Sequence, residues 1–95
     1  MYAVVGKWVM DPTQREHQDK ILHEEIVPMV KSAPGFVSAH WTRAVDGGEH
    51  VSFVVFENRA AAEGFAQVVR SDPHGREQHG VESAWLAVTD VIATA

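Results

Sequence analysis

The sequence predicts an α+β domain with ferredoxin-like β-α-β-β-α-β order, and the prediction starts from a central hairpin. Two apolar-rich runs, Phe36 to Val45 and Glu49 to Glu57, flank the tripeptide Asp46-Gly47-Gly48. Glycines there can adopt the positive φ angles that a tight turn needs. A strand-like run and a helix-like run precede the hairpin, and a helix-like run and a strand-like run follow it. This symmetry predicts a four-stranded antiparallel sheet with two helices on one face.

The first strand and the first helix occupy the chain before the hairpin. Residues 1–10 are rich in valine and only Lys7 breaks their apolar character, so this strand is expected at the centre of the sheet with both faces covered. Asp11 and Pro12 predict a helix start, with aspartate as the N-cap and proline at the first helical position. Because Pro28 lacks the N–H of a helical residue, a kink or break is expected there.

The second helix and the last strand follow the hairpin. Asn58 is a good N-cap, and the helix that it begins is expected to end at Ser71-Asp72-Pro73. The polar segment from His74 to Gly80 is predicted to be a loop or one irregular turn. The strand-like alternation of side chains returns from Val81 to Ile92, which predicts the fourth and longest strand. Residues 1–95 leave no room for a second core and therefore form one domain.

Composition and charge exclude several classes of function. Eight basic and 13 acidic residues give a net charge of −5, and the basic residues are scattered singly, so neither nucleic acid nor a membrane is an expected partner. No apolar run is long enough to span a bilayer and no signal-peptide pattern is present, so a cytoplasmic location is expected. The absence of cysteine excludes disulfides, a thiol nucleophile and thiolate metal sites.

Apolar residues on both sides of the strands predict a homodimer. The third strand carries Val51, Phe53 and Val55 on one side and Val54 and Phe56 on the other. Two helices can cover only one face of a four-stranded sheet, and an uncovered apolar face usually marks an interface. Two-fold symmetry is the commonest way to close such a surface, so we expect an obligate homodimer whose two sheets face each other.

The segments that join these elements resemble those of antibiotic biosynthesis monooxygenase domains. The resemblance is carried by YAVVGKWVMDP at the start, by Ala-Pro-Gly-Phe-Val at residues 33–37, and by VSFVVFENRAAAEGF from residue 51. Such domains are dimeric α+β barrels. The resemblance implies a monooxygenase that acts on an aromatic or polyketide-like small molecule and needs no cofactor, since the substrate anion itself reacts with oxygen.

Some members of the family that this sequence resembles degrade haem. Their site combines an asparagine on the first strand, a tryptophan on the second helix and a histidine soon after it, and the corresponding positions here are Lys7, Phe65 and His74. A neutral imidazole can ligate haem iron. Because only the histidine is retained, haem degradation is a less favoured function than cofactor-free oxidation.

His40 and His74 are the candidate catalytic residues. His40 lies in the middle of the second strand, on the same expected face as Phe36, and is a candidate general base if this face lines a cavity. The alternative is a hydrogen-bonded histidine at the dimer interface. His74 lies in the polar segment, which could close over a pocket or be an ordinary flexible loop. His50 is expected to be exposed beside the hairpin turn.

Five residues are candidate substrate-binding residues: Lys7, Trp8, Phe65, His79 and Trp85. The aromatic members could wall a flat ligand or simply fill the core and the interface. A buried lysine is either functional or paired with an acidic residue. The histidine spacing in the polar segment matches no recurring metal-ligand pattern, so no metal centre is predicted. A non-catalytic binding or stress-related dimer is the alternative function. A cavity of a few hundred Å³ would favour the enzyme over this alternative.

Overall fold

The computed structural model describes residues 1–95, except for the side chains of Pro73 and His74. One antiparallel sheet contains four strands: Tyr2–Met10 (β1), Phe36–Arg43 (β2), His50–Phe56 (β3) and Val81–Asp90 (β4). Their order across the sheet is β2-β3-β1-β4, so β1 lies inside the sheet. The ferredoxin-like fold predicted from the sequence is therefore confirmed.

The helices follow the predicted chain order. The first helical segment comprises a 3₁₀ turn at Pro12–Gln14, helix α1 (Arg15–Ile21), a π-helical turn at Leu22–Ile26, and helix α2 (Val27–Lys31). The second is α3 (Arg59–Arg70). A further single turn, α4 (Pro73–Glu77), precedes β4. The segment predicted to be a loop or irregular turn thus begins as a helix, because the Asp72 carboxylate accepts a hydrogen bond from the Gly75 N–H at 3.1 Å and caps it.

Local side-chain chemistry fixes the helix starts. The Asp11 carboxylate accepts a hydrogen bond from the backbone N–H two residues later at 2.9 Å, and the Asn58 side chain accepts one from the N–H three residues later at 2.9 Å. The break expected at Pro28 takes the form of the π-helical turn, after which α2 begins at Val27. The wider turn at this point accommodates the loss of the hydrogen bond that Pro28 cannot donate.

Strand β2 contains a register shift between Phe36 and Ser38, which decides the face of every later residue in the strand. Phe36 pairs with Phe56, which is fully buried beneath the helices. His40 pairs with Phe53, on the opposite face. The expectation that Phe36 and His40 share a face is therefore wrong, because a bulge inserts one extra residue between them.

The core lies between the sheet and the helices and consists of Val4, Val30, Val54, Phe56, Ala62 and Ala66. Gly35 lets the chain enter β2 close to α3. Its φ angle is +76°, and a Cβ atom added to it would lie 2.8 Å from the Cβ atom of Ala61. The Ala-Pro-Gly-Phe-Val segment is therefore structural, since only glycine fits both the backbone angle and the close approach.

The opposite face of the sheet, which we call the open face, carries large apolar side chains. Val9 is 57% exposed, Phe53 41% and Trp85 47%. Lys7 lies on the same face and is also exposed. The expectation that β1 is covered on both faces is therefore not met within one protomer. In the part of the chain that the structure describes, no helix has the length and apolarity needed to cross a membrane.

Candidate functional site

A cavity of about 560 Å³ lies between the helices and the sheet. Its wall is mostly apolar, and its aromatic members are Trp8, Trp41 and Phe65. Small-molecule sites have volumes of roughly 300–1,000 Å³ and combine apolar walls with a few polar groups. The cavity therefore has the size and the surface of a site for a flat organic ligand.

Two neighbouring rows of the sheet form the floor of the cavity. Cross-strand pairing gives the rows Arg43–His50–Trp8 and Trp41–Ser52–Gly6. Residues directly opposite one another in antiparallel strands share a face. The backbone register, rather than any local sequence motif, thus brings a guanidinium, an imidazole and two indoles to one end of the cavity.

Trp8 is held in place by contacts with its edge and its face. Its indole N–H donates to the Ser52 hydroxyl at 2.9 Å. The ring lies against Gly6, where an added Cβ atom would be 2.7 Å from it. The guanidinium carbon of Arg76 lies 5.5 Å from the ring centroid, in cation–π contact. The indole is consequently a fixed part of the cavity wall, and Gly6 is the residue that makes room for it.

An ion pair lies beside the first row. A guanidinium nitrogen of Arg43 is 2.6 Å from a carboxylate oxygen of Asp19. Asp19 also contacts His23, since the Asp19 backbone carbonyl lies 2.7 Å from the His23 Nδ1 atom. A carbonyl oxygen can only accept, so Nδ1 of His23 is the donor of this hydrogen bond. All three side chains line the cavity.

His50 is the imidazole at the centre of this polar end. Burial lowers its pKa below the ordinary value of 6.5, and the positive charges of Arg43 and Arg15 lower the pKa further, against a smaller opposing effect of Asp19. The ring is therefore neutral near pH 7 and has a free lone pair. A neutral imidazole beside a guanidinium can accept a proton and leave the resulting anion next to a positive charge.

The structure brings together three of the five predicted substrate-binding residues. Trp8, Phe65 and His79 line the cavity. Lys7 and Trp85 instead pair with each other across β1 and β4 on the open face. Lys7 is exposed within one protomer, on the face that a second copy of the chain is expected to cover.

His40, one of the two predicted catalytic histidines, does not reach the cavity. His40 is exposed on the open face, opposite the cavity. The side chain of His74 lies outside the described residues. The sequence reasoning missed His50, Arg43 and Asp19. When β1 and β3 are paired as antiparallel strands from their buried ends, His50 lies opposite Trp8. This pairing could have identified His50 from the sequence.

Two of the three residues that correspond to a haem-degrading site differ from it, and the side chain of the third, His74, lies outside the described residues. Of the three corresponding positions, Phe65 reaches the cavity but offers no metal ligand, and Lys7 lies on the opposite face of the sheet. Among the side chains that the structure describes, no group of three or more histidine, aspartate or glutamate residues is arranged to hold a metal ion.

Comparisons with known proteins agree on the fold. The family model described as "Antibiotic biosynthesis monooxygenase" matches residues 1–79. A Deinococcus radiodurans protein assigned to the antibiotic biosynthesis monooxygenases superposes with a TM-score of 0.78 at 11% identity, covering 100% of this chain and 96% of that one. MhuD, a haem degrader of Mycobacterium tuberculosis, gives 0.77 at 15% identity, with coverage of 100% and 99%.

A third similar structure is a mutant form of SnoaB, a cofactor-independent oxygenase of Streptomyces nogalater. It gives a TM-score of 0.68 at 16% identity, covering 98% of this chain and 94% of that one. No curated protein sequence matches the chain. At these identities the solved structures establish the shared fold, and the chemistry must be argued from the cavity itself.

Proposed function

We propose, since this chain belongs to the antibiotic biosynthesis monooxygenase family, that it oxidises an aromatic or polyketide-like small molecule in the cavity without a cofactor. The observation that carries the proposal is the row Arg43–His50–Trp8 at one end of an aromatic-walled cavity. A neutral imidazole, a guanidinium and a fixed indole are the groups needed to bind and deprotonate a phenolic ring.

Binding depends on the apolar wall. The faces of Trp41 and Phe65 and the fixed indole of Trp8 offer flat surfaces to an aromatic ring system. Because Arg43, His50 and Asp19 lie close together in the cavity wall, a substrate with one acidic end and an apolar body would bind with its acidic end towards them. That orientation places its acidic group beside His50.

Deprotonation is the first chemical step. His50 accepts a proton from a phenol or from a carbon made acidic by the ring system. Arg43, its neighbour across the strands, stabilises the resulting anion by its charge. The ion pair with Asp19, at 2.6 Å, holds the guanidinium in position.

Oxygenation then converts a ring methylene to a carbonyl. The electron-rich substrate anion reduces O₂, one oxygen atom forms the new C=O bond, and the other leaves as water together with the two hydrogens lost from carbon. The electrons come from the substrate, so the equation balances without another reductant. The similarity to a cofactor-independent oxygenase supports this chemistry. The residues of this chain hold the anion and shield it from bulk water.

Oxygen uptake with 1,8-dihydroxyanthrone as the probe substrate tests the proposal. We expect oxygen consumption above the spontaneous rate, with 1,8-dihydroxyanthraquinone as the product, and a loss of about 10²–10⁴-fold in kcat for His50→Gln. His40→Gln, measured in parallel, separates the structure-based assignment from the sequence-based one. Activity lost in His40→Gln and retained in His50→Gln would refute the role of His50. Binding of the probe without oxygen uptake would instead identify a binding protein.

We also propose that a second copy of the chain covers the open face. Phe53 lies at its centre, paired with Val5 on one side and His40 on the other. The apolar exposure of this face, and the dimeric barrels that the family resemblance implies, support a homodimer. Analytical ultracentrifugation tests it. Phe53→Glu should give a folded monomer, whereas Val45→Glu, at a fully exposed site in the hairpin turn, should remain dimeric. A monomeric unmodified chain would contradict the proposal.

A further inference from the structure

Two histidines from distant parts of the chain meet at the rim of the cavity. The Nε2 atom of His17, in the first turn of α1, lies 2.8 Å from the Nδ1 atom of His79, in the turn before β4. Their ring centroids are 4.9 Å apart and the ring planes are inclined by 45°. His17 is exposed and His79 is partly buried, so solvent reaches the pair.

The backbone around both rings is fixed by a buried amide. Gln18 is only 5% exposed, and its side-chain nitrogen donates to the His79 carbonyl at 2.8 Å and to the Asp11 carbonyl at 3.1 Å. The Asp11 N–H in turn donates to the Gly80 carbonyl at 2.8 Å. The chain therefore places both imidazoles before any ligand arrives, which reduces the entropy lost on binding.

The separation of the two nitrogens matches that of two ligands on one metal ion. With metal–nitrogen bonds of about 2.0–2.1 Å and angles between square and tetrahedral, two cis imidazole nitrogens lie roughly 2.8–3.4 Å apart. The observed 2.8 Å is at the lower end of this range. A small rotation of either ring would admit a metal ion in place of the proton that the two nitrogens share.

We infer that His17 and His79 form a two-histidine chelate for a divalent transition-metal ion at the rim of the cavity. Imidazole suits Cu(II), Ni(II) and Zn(II), and Cu(II) should bind most tightly. The described residues supply no third histidine or carboxylate for such a site, so water completes the coordination. The ion would link α1 to the turn before β4, and the proton between the two ligating nitrogens would move to the other nitrogen of the donor ring. This site is separate from the oxygenation chemistry, which is assigned to His50.

Titration of the full chain with CuSO₄, NiCl₂ and ZnCl₂, followed by calorimetry, tests the inference. His17→Gln and His79→Gln should each weaken Cu(II) binding about 10²-fold, since each removes one arm of the chelate. His40→Gln, at a histidine on the opposite face of the sheet from the cavity, should bind as the unmodified chain does. Equal affinity in all four proteins, or an equal loss in His40→Gln, would overturn the inference.

Two further measurements separate a chelate from a purely structural contact. Electron paramagnetic resonance of the Cu(II) complex should show two coordinated imidazole nitrogens in the unmodified chain and one in either variant. Saturating Cu(II) should also raise the midpoint of thermal unfolding of the unmodified chain and leave that of both variants unchanged. A hydrogen bond alone would lower the midpoint of the variants equally with and without metal, and that result would contradict the inference.

Discussion

Gly6→Ala is expected to move Trp8 and to destabilise the protein. The added methyl group would lie 2.7 Å from the Cζ2 atom and 2.8 Å from the Nε1 atom of the indole. Ordinary contact begins at 3.4 Å, so the ring must shift by about 0.7 Å towards the cavity. That shift disturbs the 2.9 Å hydrogen bond to the buried Ser52 hydroxyl and the contact with Arg76.

The expected cost follows from these contacts. Overpacking of a filled site costs about 1–3 kcal/mol, and weakening a net hydrogen bond adds about 0.5–1.5 kcal/mol. We therefore expect a loss of about 1.5–4.5 kcal/mol in the free energy of unfolding, which lowers the thermal midpoint by roughly 8–23 °C in a domain of this size. Urea unfolding followed by circular dichroism measures the loss, and the variant should also bind an aromatic ligand more weakly.

Gly64→Ala is the matched control for this prediction. No atom lies within 4 Å of a Cβ atom added at Gly64, on the exposed side of α3. The same substitution should therefore stabilise the helix, by about 0.5–1 kcal/mol. In a Trp8→Ala background the cost of Gly6→Ala should largely disappear, because the clash is with the indole. An unchanged cost in that background would refute this reasoning.

Two other predictions concern the entry to β2 and the polar end of the cavity. Gly35→Ala should lower the free energy of unfolding by about 2–5 kcal/mol, because a φ of +76° costs about 1–2 kcal/mol and the clash with Ala61 adds about 1–3 kcal/mol. Urea unfolding measures the loss, and a loss below about 1 kcal/mol would contradict the close packing there. The acid limb of kcat/KM should lie below pH 6.5, because burial and the charge of Arg43 lower the pKa of His50, and Arg43→Gln should move that limb to higher pH. His50 binds its proton more tightly in the unfolded chain than in the folded chain, because its pKa is lower when folded. The free energy of unfolding should therefore decrease as the pH drops from 6.5 through the folded pKa of His50, and His50→Gln should remove that dependence. An acid limb above pH 6.5 would show that another group titrates.

Elements that depend on neighbouring residues could be predicted from the sequence. The Asp11 and Asn58 side chains each accept a hydrogen bond from a backbone N–H no more than three residues away. The hairpin turn likewise depends on a local feature, the positive φ angle that glycine adopts there. The break at Pro28 was predictable in kind, because proline always removes one donor. Its form, a π-helical turn before the proline, depends on how the whole segment packs, and no local pattern specifies it.

The site depended on register, which local patterns do not determine. The bulge after Phe36 moved His40 to the open face, and a one-residue shift of this kind reverses every later side chain in the strand. His50 was expected to be exposed because it adjoins a turn, yet β1 and β2 enclose it from both sides. The contact between His17 and His79 joins residues 62 positions apart, so only the folded chain shows it.

Absorption of a bound phenol tests the central claim most directly, namely that the end of the cavity at His50 and Arg43 takes a proton from an aromatic ligand. The probe is 1,8-dihydroxyanthraquinone, titrated with protein at a pH below its own pKa. We expect the spectrum of the phenolate in the unmodified chain and that of the neutral phenol in His50→Gln and Arg43→Gln. A neutral spectrum in the unmodified chain, or a phenolate that persists in both variants, would contradict the account.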